Sequence, residues 1–125
     1  MRQVLLFLTV FFALAAPALA IEEFLAEFER LYVQASPTTP TARRFREKFR
    51  DTKCLVCHVG EDKEDRNIYG GYLAQNLDRK RDKFNSAYIQ SVLKAAEGLH
   101  SDPAQPRSYT FGQLLKAGYL PTEKP

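Results

Sequence analysis

The chain lacks tryptophan and has few of the sulfur and imidazole side chains that commonly bind transition metals. Its 125 residues include no tryptophan, one methionine, two cysteines and two histidines. The methionine is Met1, so no methionine inside the chain is available as a metal ligand. The net charge is only +3, which is too small to predict nucleic-acid binding. The sequence also lacks the alternating pattern of a β-strand, internal repeats and low-complexity tracts, which argues against a β-rich or repetitive fold.

The first twenty residues have the pattern of an export signal. Arg2 is followed by an apolar run from Val4 to Ala16, and Ala18-Leu19-Ala20 supplies a small-x-small cleavage site. We therefore predict a signal peptide over residues 1–20 and one domain over residues 21–125, in a periplasmic or secreted protein. The alternative is an uncleaved anchor. However, the apolar run is short for a membrane span, so we expect no stable membrane insertion after cleavage.

Apolar residues at helical spacing predict an all-α domain of four or five short helices. The amphipathic stripes lie near residues 21–33, 41–50, 66–77, 86–99 and 110–117. Asn85 or Ser86 is the predicted cap of the fourth helix, and Gly118 is predicted to end the last one. The apolar face of the fourth helix is predicted to carry Phe84, Tyr88, Val92, Ala95, Ala96 and Leu99. A domain of this size with long connections has few residues to form a core. We therefore expect a large apolar cofactor to complete the core.

Both cysteines lie in one short motif, Cys54-Leu-Val-Cys57-His58. Cys-x-x-Cys-His is the attachment signature of c-type haem. Two thiols at this spacing reach the two vinyl groups on one edge of a porphyrin, and the next residue lies beneath the ring, where it can bind the iron. We therefore predict one covalent haem c, attached through Cys54 and Cys57, with His58 as the proximal iron ligand.

The same motif is compatible with three different kinds of site. A thioredoxin-like dithiol needs a βαβ setting that the sequence does not predict. A zinc site could recruit both cysteines with His58 and His100, but adjacent ligands at Cys57 and His58 make tetrahedral coordination awkward. A disulfide between Cys54 and Cys57 would close a very short loop and stabilise little. The motif could also occur by chance.

From Cys54 to His58 the chain resembles the small monohaem c-type cytochromes. The run CLVCHVGEDKEDRNIYGGYL is also similar to a group of small exported bacterial cytochrome-c-like proteins. The resemblance implies a cytochrome-c-like domain around one haem, haem attachment in the periplasm and electron transfer. The chain departs from the family because no methionine follows the motif to bind the far side of the iron. That difference puts a high reduction potential in doubt.

The distal side of the iron is therefore the open question of the sequence. His100 is the only other histidine. It is either a distal ligand or a surface histidine at a helix C-terminus, where the helix dipole favours it. A lysine, a tyrosine, water or a vacant position are the other possibilities. Arg66 and Asn67 either contact a haem propionate or begin a solvated helix. The aromatic residues that would either surround the haem or form plain core are Tyr69, Tyr72, Phe84, Tyr88 and Phe111.

The sequence thus predicts an electron carrier that acts on redox partner proteins. Two basic clusters are either docking surfaces for an acidic partner or solvated faces: Arg43, Arg44, Arg46, Lys48 and Arg50, and then Arg79, Lys80, Arg81 and Lys83. One alternative is a haem protein that binds or senses small ligands at an open distal site, and another is a subunit of a larger redox complex. An enzyme of peroxidase type ranks last, because His100 is the sole candidate for a distal base.

Overall fold

The domain is built from short α-helices. The computed structural model describes residues 22–62 and 64–125, so the predicted signal peptide lies outside the described residues. The helices are α1 Glu22–Tyr32, α2 Pro40–Thr52, α3 Ile68–Asn76, α4 Arg79–Asp82, α5 Ser86–Ala96 and α6 Phe111–Lys116, with a 3₁₀ turn at Lys53–Val56. The all-α prediction is confirmed. The helix beyond the predicted number is α4, a single turn within the second basic cluster. None of the described helices is long and apolar enough to cross a bilayer.

Side-chain caps explain where most helices begin. The residues that accept a hydrogen bond from the first turn of the following helix are Thr39, Asn67, Asp78, Asn85 and Thr110. Such a cap satisfies a backbone N–H that has no partner inside the helix. The predicted cap at Asn85 is confirmed. Gly118 follows the end of α6 with φ at 84°, as a helix-terminating glycine does.

Helix α5 is the central element, since it packs against α1, α3, α4 and α6. Its buried face consists of Ile89, Val92, Leu93 and Ala96. The predicted face was therefore right at Val92 and Ala96, but it was wrong at four residues that the structure exposes: Phe84, Tyr88, Ala95 and Leu99. Phe84 precedes the cap and Leu99 follows the end of the helix, so neither belongs to its buried face. Within the helix, the inward stripe runs through Ile89 and Leu93 and not through Tyr88 and Ala95.

Aromatic rings join the helices at the centre of the core. Phe28 of α1 stacks on Phe49 of α2 with 5.7 Å between ring centroids. Tyr69 of α3 meets Phe28 edge-on at 6.0 Å and Phe111 of α6 at 4.9 Å. Each such pair adds about 0.5–1.5 kcal/mol to the burial of its rings. Four helices are thus held by one chain of ring contacts, directly beside the motif-bearing turn.

Candidate functional site

The Cys-x-x-Cys-His motif forms a tight turn directly after α2. Lys53 has φ at 44° and turns the chain out of the helix, while its N–H still bonds the Phe49 carbonyl. The backbone N–H groups of Cys57 and His58 both donate to the Cys54 carbonyl, at 3.2 and 3.1 Å. This turn brings the two cysteines one turn apart, onto the same side of the chain.

Both cysteines and His58 line one cleft, here called the thiol cleft, with a volume of about 430 Å³. Its apolar walls come from α1, from α3 and from the residue directly after α3: Phe24, Leu25, Leu73, Ala74 and Leu77. Charged residues also line it: Glu22, Lys53, Arg66, Asp78 and Arg79. A mostly apolar cleft of a few hundred Å³ with a few convergent polar groups is the usual form of a cofactor site.

The two thiols differ in exposure. Cys54 is exposed, whereas Cys57 is half-buried, and neither forms a disulfide. Burial, together with charge repulsion from the neighbouring Cys54, raises the pKa of the Cys57 thiol to about 12. Cys57 is therefore a protonated thiol at neutral pH. A thioredoxin-like dithiol requires a βαβ setting, and the described part of the chain contains helices and isolated bridges but no sheet, which argues against the dithiol alternative.

His58 carries a buried polar atom that the protein does not satisfy. Its Nδ1 is buried and has no hydrogen-bond partner in the described part of the chain. Its backbone is fixed by an isolated bridge to Arg66, which closes the intervening loop. A buried nitrogen without a partner costs about 1–3 kcal/mol, so this atom requires a partner beyond the described side chains, such as an ordered water or a bound group.

Helix α3 is pressed against the motif through Gly70 and Asn67. A Cβ built on Gly70 would lie 2.0 Å from the Cys57 carbonyl oxygen, so only glycine permits this approach. The Asn67 side chain accepts from the Gly70 N–H at 2.8 Å and donates to the Val56 carbonyl at 2.9 Å. The Asn67 backbone N–H also donates to the Cys57 carbonyl at 3.0 Å. Asn67 therefore serves as the cap that holds α3 on the turn.

His100 lies apart from the thiol cleft. Its Nδ1 is 2.7 Å from the Ser108 carbonyl oxygen, and an isolated bridge to Thr110 closes the loop that contains it. His100 lines a different cavity, together with Tyr72, Pro106 and Phe111. The structure thus brings Cys54, Cys57 and His58 together and places His100 elsewhere.

The predicted aromatic residues take several different positions. Tyr69 and Phe111 are core residues, at 1% exposure each, and Tyr72 packs against the core. Phe84 and Tyr88 are exposed and do not line the thiol cleft, so their prediction as haem walls or core was wrong. The walls that sequence reasoning missed come largely from Phe24 and Leu25, whose α1 stripe was visible in the sequence. Their position opposite the motif depends on long-range packing, which the stripe does not encode.

A zinc site receives no support from the geometry. Across residues 22–62 and 64–125, no group of three or more histidine, cysteine, aspartate or glutamate side chains is placed to hold a metal ion. Structural zinc requires four such ligands in a tetrahedron.

No protein-family model, curated protein or solved structure matches this chain.

Proposed function

We propose that this chain is an exported c-type cytochrome that binds one haem covalently and transfers single electrons. In this proposal Cys54 and Cys57 form the two thioethers, and His58 is the proximal ligand of the iron. The observation that carries the proposal is their position. Both thiols and the imidazole line one apolar-walled cleft, and the buried Nδ1 of His58 has no partner in the described part of the chain.

The residues that line the cleft are chemically suited to a haem. The apolar side chains of Phe24, Leu25 and Leu73 would keep water from the face of a flat, apolar ring. The cations that line the cleft, Lys53, Arg66 and Arg79, would offset the carboxylates of the cofactor. When bound, haem supplies a centre that gains and loses one electron. The protein's part is to hold it, orient it and exclude water.

A second function, the binding of a small ligand at an open distal position, is supported by the cleft's composition. Among the described residues that line it, His58 is the only imidazole, and the chain's one methionine is Met1. Lys53 is the only lysine there, but it directly precedes the motif. An electron carrier needs a second strong side-chain ligand on the iron, from this chain or from a partner subunit. A protein that binds small molecules at the iron needs no second side-chain ligand.

Absorption spectra test the proposal. The mature chain is produced in a host that attaches haem c, and spectra are recorded oxidised, dithionite-reduced and after addition of carbon monoxide. The carrier predicts sharp low-spin bands that carbon monoxide does not shift. A high-spin spectrum that shifts with carbon monoxide supports the ligand-binding function. A protein whose mass shows no covalent haem refutes both functions.

Matched variants assign the residues. We expect Cys54→Ala and Cys57→Ala each to retain at most one thioether, which moves the reduced absorption band. We expect His58→Ala to lose the proximal ligand of the iron and therefore to differ from the wild type in its absorption spectrum. His100→Ala is the control, because His100 lines a different cavity. A low-spin spectrum that His100→Ala converts to high spin would identify His100 as the distal ligand and require the loop to move.

A further inference from the structure

The most exposed large apolar side chain of the described residues lies in a basic segment. Phe84 is 86% exposed and lies between α4 and α5. The ring has no role in the core or in the thiol cleft, whose lining does not include it. Leaving a phenylalanine ring in water forgoes about 1.5–3 kcal/mol of burial, and a partner that covers the ring would recover that free energy.

The segment Asp78–Phe84, here called the basic tip, carries four cations and two acids. Both acids are satisfied inside the tip. Asp82 accepts two hydrogen bonds at 2.7 Å from the Arg81 guanidinium, and Asp78 caps the Arg81 N–H at 2.8 Å. The remaining cations are Arg79, Lys80 and Lys83, none of which forms an ion pair with the described part of the chain. Arg79 also lines the thiol cleft, so the charges of Lys80 and Lys83 are the ones available to a partner.

The cations and aromatic rings are interleaved. Lys83 Nζ lies 4.7 Å from the centroid of the Phe84 ring, and the Arg81 guanidinium lies 5.9 Å from that of Tyr88. Tyr88 is 39% exposed, and its hydroxyl donates to the Asn76 carbonyl at 3.1 Å. The tip thus presents one protruding ring, a second amphipathic ring beside it, and a surround of positive charge.

We propose that the basic tip docks this protein on a membrane surface that carries anionic phospholipids. A single protruding ring suits the soft boundary between headgroups and acyl chains, where aromatic side chains are favoured. Lysine and arginine beside it are attracted to headgroup phosphates. A protein partner would instead need a broad complementary patch, whereas the tip offers a narrow one. Binding of this kind is peripheral and reversible.

Vesicle co-sedimentation of the mature chain tests the docking. Vesicles of phosphatidylcholine mixed with phosphatidylglycerol should sediment the protein, while phosphatidylcholine alone should not, and added salt should release it. We expect Phe84→Ala to weaken the partition about tenfold or more. We expect Lys80→Gln and Lys83→Gln to weaken it about fivefold each. All variants are checked for folding by circular dichroism.

Two matched controls fix the site. Tyr109→Ala removes a 55% exposed ring from the loop beyond the other end of α5, and it should leave binding unchanged. Removing two exposed cations of α2 in Arg43→Gln/Arg44→Gln should have a far smaller effect than the lysine changes in the tip. No binding to anionic vesicles, as expected if the tip serves an acidic protein instead, overturns the proposal. Equal binding by wild type and Phe84→Ala does the same.

The docking is independent of the haem. The double variant Cys54→Ala/Cys57→Ala carries no covalent haem, yet the basic tip is unchanged in it. We therefore expect this variant to bind anionic vesicles as the wild type does. If the folded double variant does not bind anionic vesicles, the proposal is wrong. If the wild type carries no haem, the proposed function is wrong, but the vesicle experiment still tests the docking.

Discussion

Gly70 and Gly71 are adjacent residues of α3 for which the structure predicts opposite responses to alanine. A Cβ on Gly70 would lie 2.0 Å from the Cys57 carbonyl oxygen, 2.8 Å from its carbon and 3.0 Å from the Cys57 Cα. These are backbone atoms, and the Cys57 carbonyl is itself held by the Asn67 N–H at 3.0 Å. Neither side can yield cheaply, so α3 must move away from the motif.

The magnitude for Gly70→Ala combines two terms. Overpacking costs about 1–3 kcal/mol, and we take the upper end, about 3 kcal/mol, because the contact is with backbone atoms at a very short distance. Alanine is favoured over glycine in a helix by about 1 kcal/mol. We therefore expect Gly70→Ala to lower the free energy of unfolding by about 2 kcal/mol. Since about 1 kcal/mol shifts the midpoint of a domain this size by about 4–8 °C, thermal unfolding should occur about 8–16 °C lower.

Gly71→Ala is the matched control. A Cβ on Gly71 meets nothing within 4 Å, so only the helical preference remains. We expect this variant to be more stable than the wild type by about 0.5–1 kcal/mol. Urea unfolding followed by circular dichroism measures both variants, and haem attachment should fall in Gly70→Ala alone. If Gly70→Ala is as stable as Gly71→Ala, then the close approach of α3 to the motif is wrong.

Three further predictions concern the same region. Asn67→Ala should lower the free energy of unfolding by about 2 kcal/mol, because it removes both the α3 cap and the hydrogen bond to the Val56 carbonyl. Asn67→Asp keeps the cap, so its free energy of unfolding should fall by about half as much. Urea unfolding measures both variants. Tyr69→Phe removes a buried hydroxyl that has no partner in the described chain, so stability should hold or rise by about 1 kcal/mol, and a clear loss would reveal a hidden partner. In the haem-free protein, burial raises the pKa of Cys57 from about 9 to about 12. Below pH 9 the thiol is protonated in both states, whereas above it the unfolded chain loses the proton first, so stability should fall between pH 9 and 12. Cys57→Ser should make this decline shallower in urea titrations across that range, and an unchanged decline would contradict the assignment.

Local features of the sequence were sufficient to predict the fold class and the ends of single helices. The cap at Asn85 and the helix stop at Gly118 depend on single residues and their neighbours, so both are confirmed. The Cys54–Cys57 spacing likewise fixes a turn, and the two cysteines do line one cleft. Each of these is a short-range consequence of residue type and spacing.

Long-range packing accounts for what the sequence could not predict. Phe84 looked like a continuation of the α5 stripe, yet it precedes the cap and faces solvent. Phe24 and Leu25 lie far from the motif in the chain, so nothing local places them across the thiol cleft. His100 follows α5 closely enough to fold back, but its loop is tied to Thr110 and Ser108 instead.

The unequal exposure of the two thiols bears on how such a protein is made. A chain that has already folded displays Cys54 but keeps Cys57 half-buried beside α3, which Gly70 allows to lie on its carbonyl. If both sulfurs join a haem, Cys54 can react at the surface of a folded chain, whereas Cys57 can react only with a cofactor that has already entered the thiol cleft. In a folded chain the two thioethers would then form in a set order, first at Cys54 and then at Cys57.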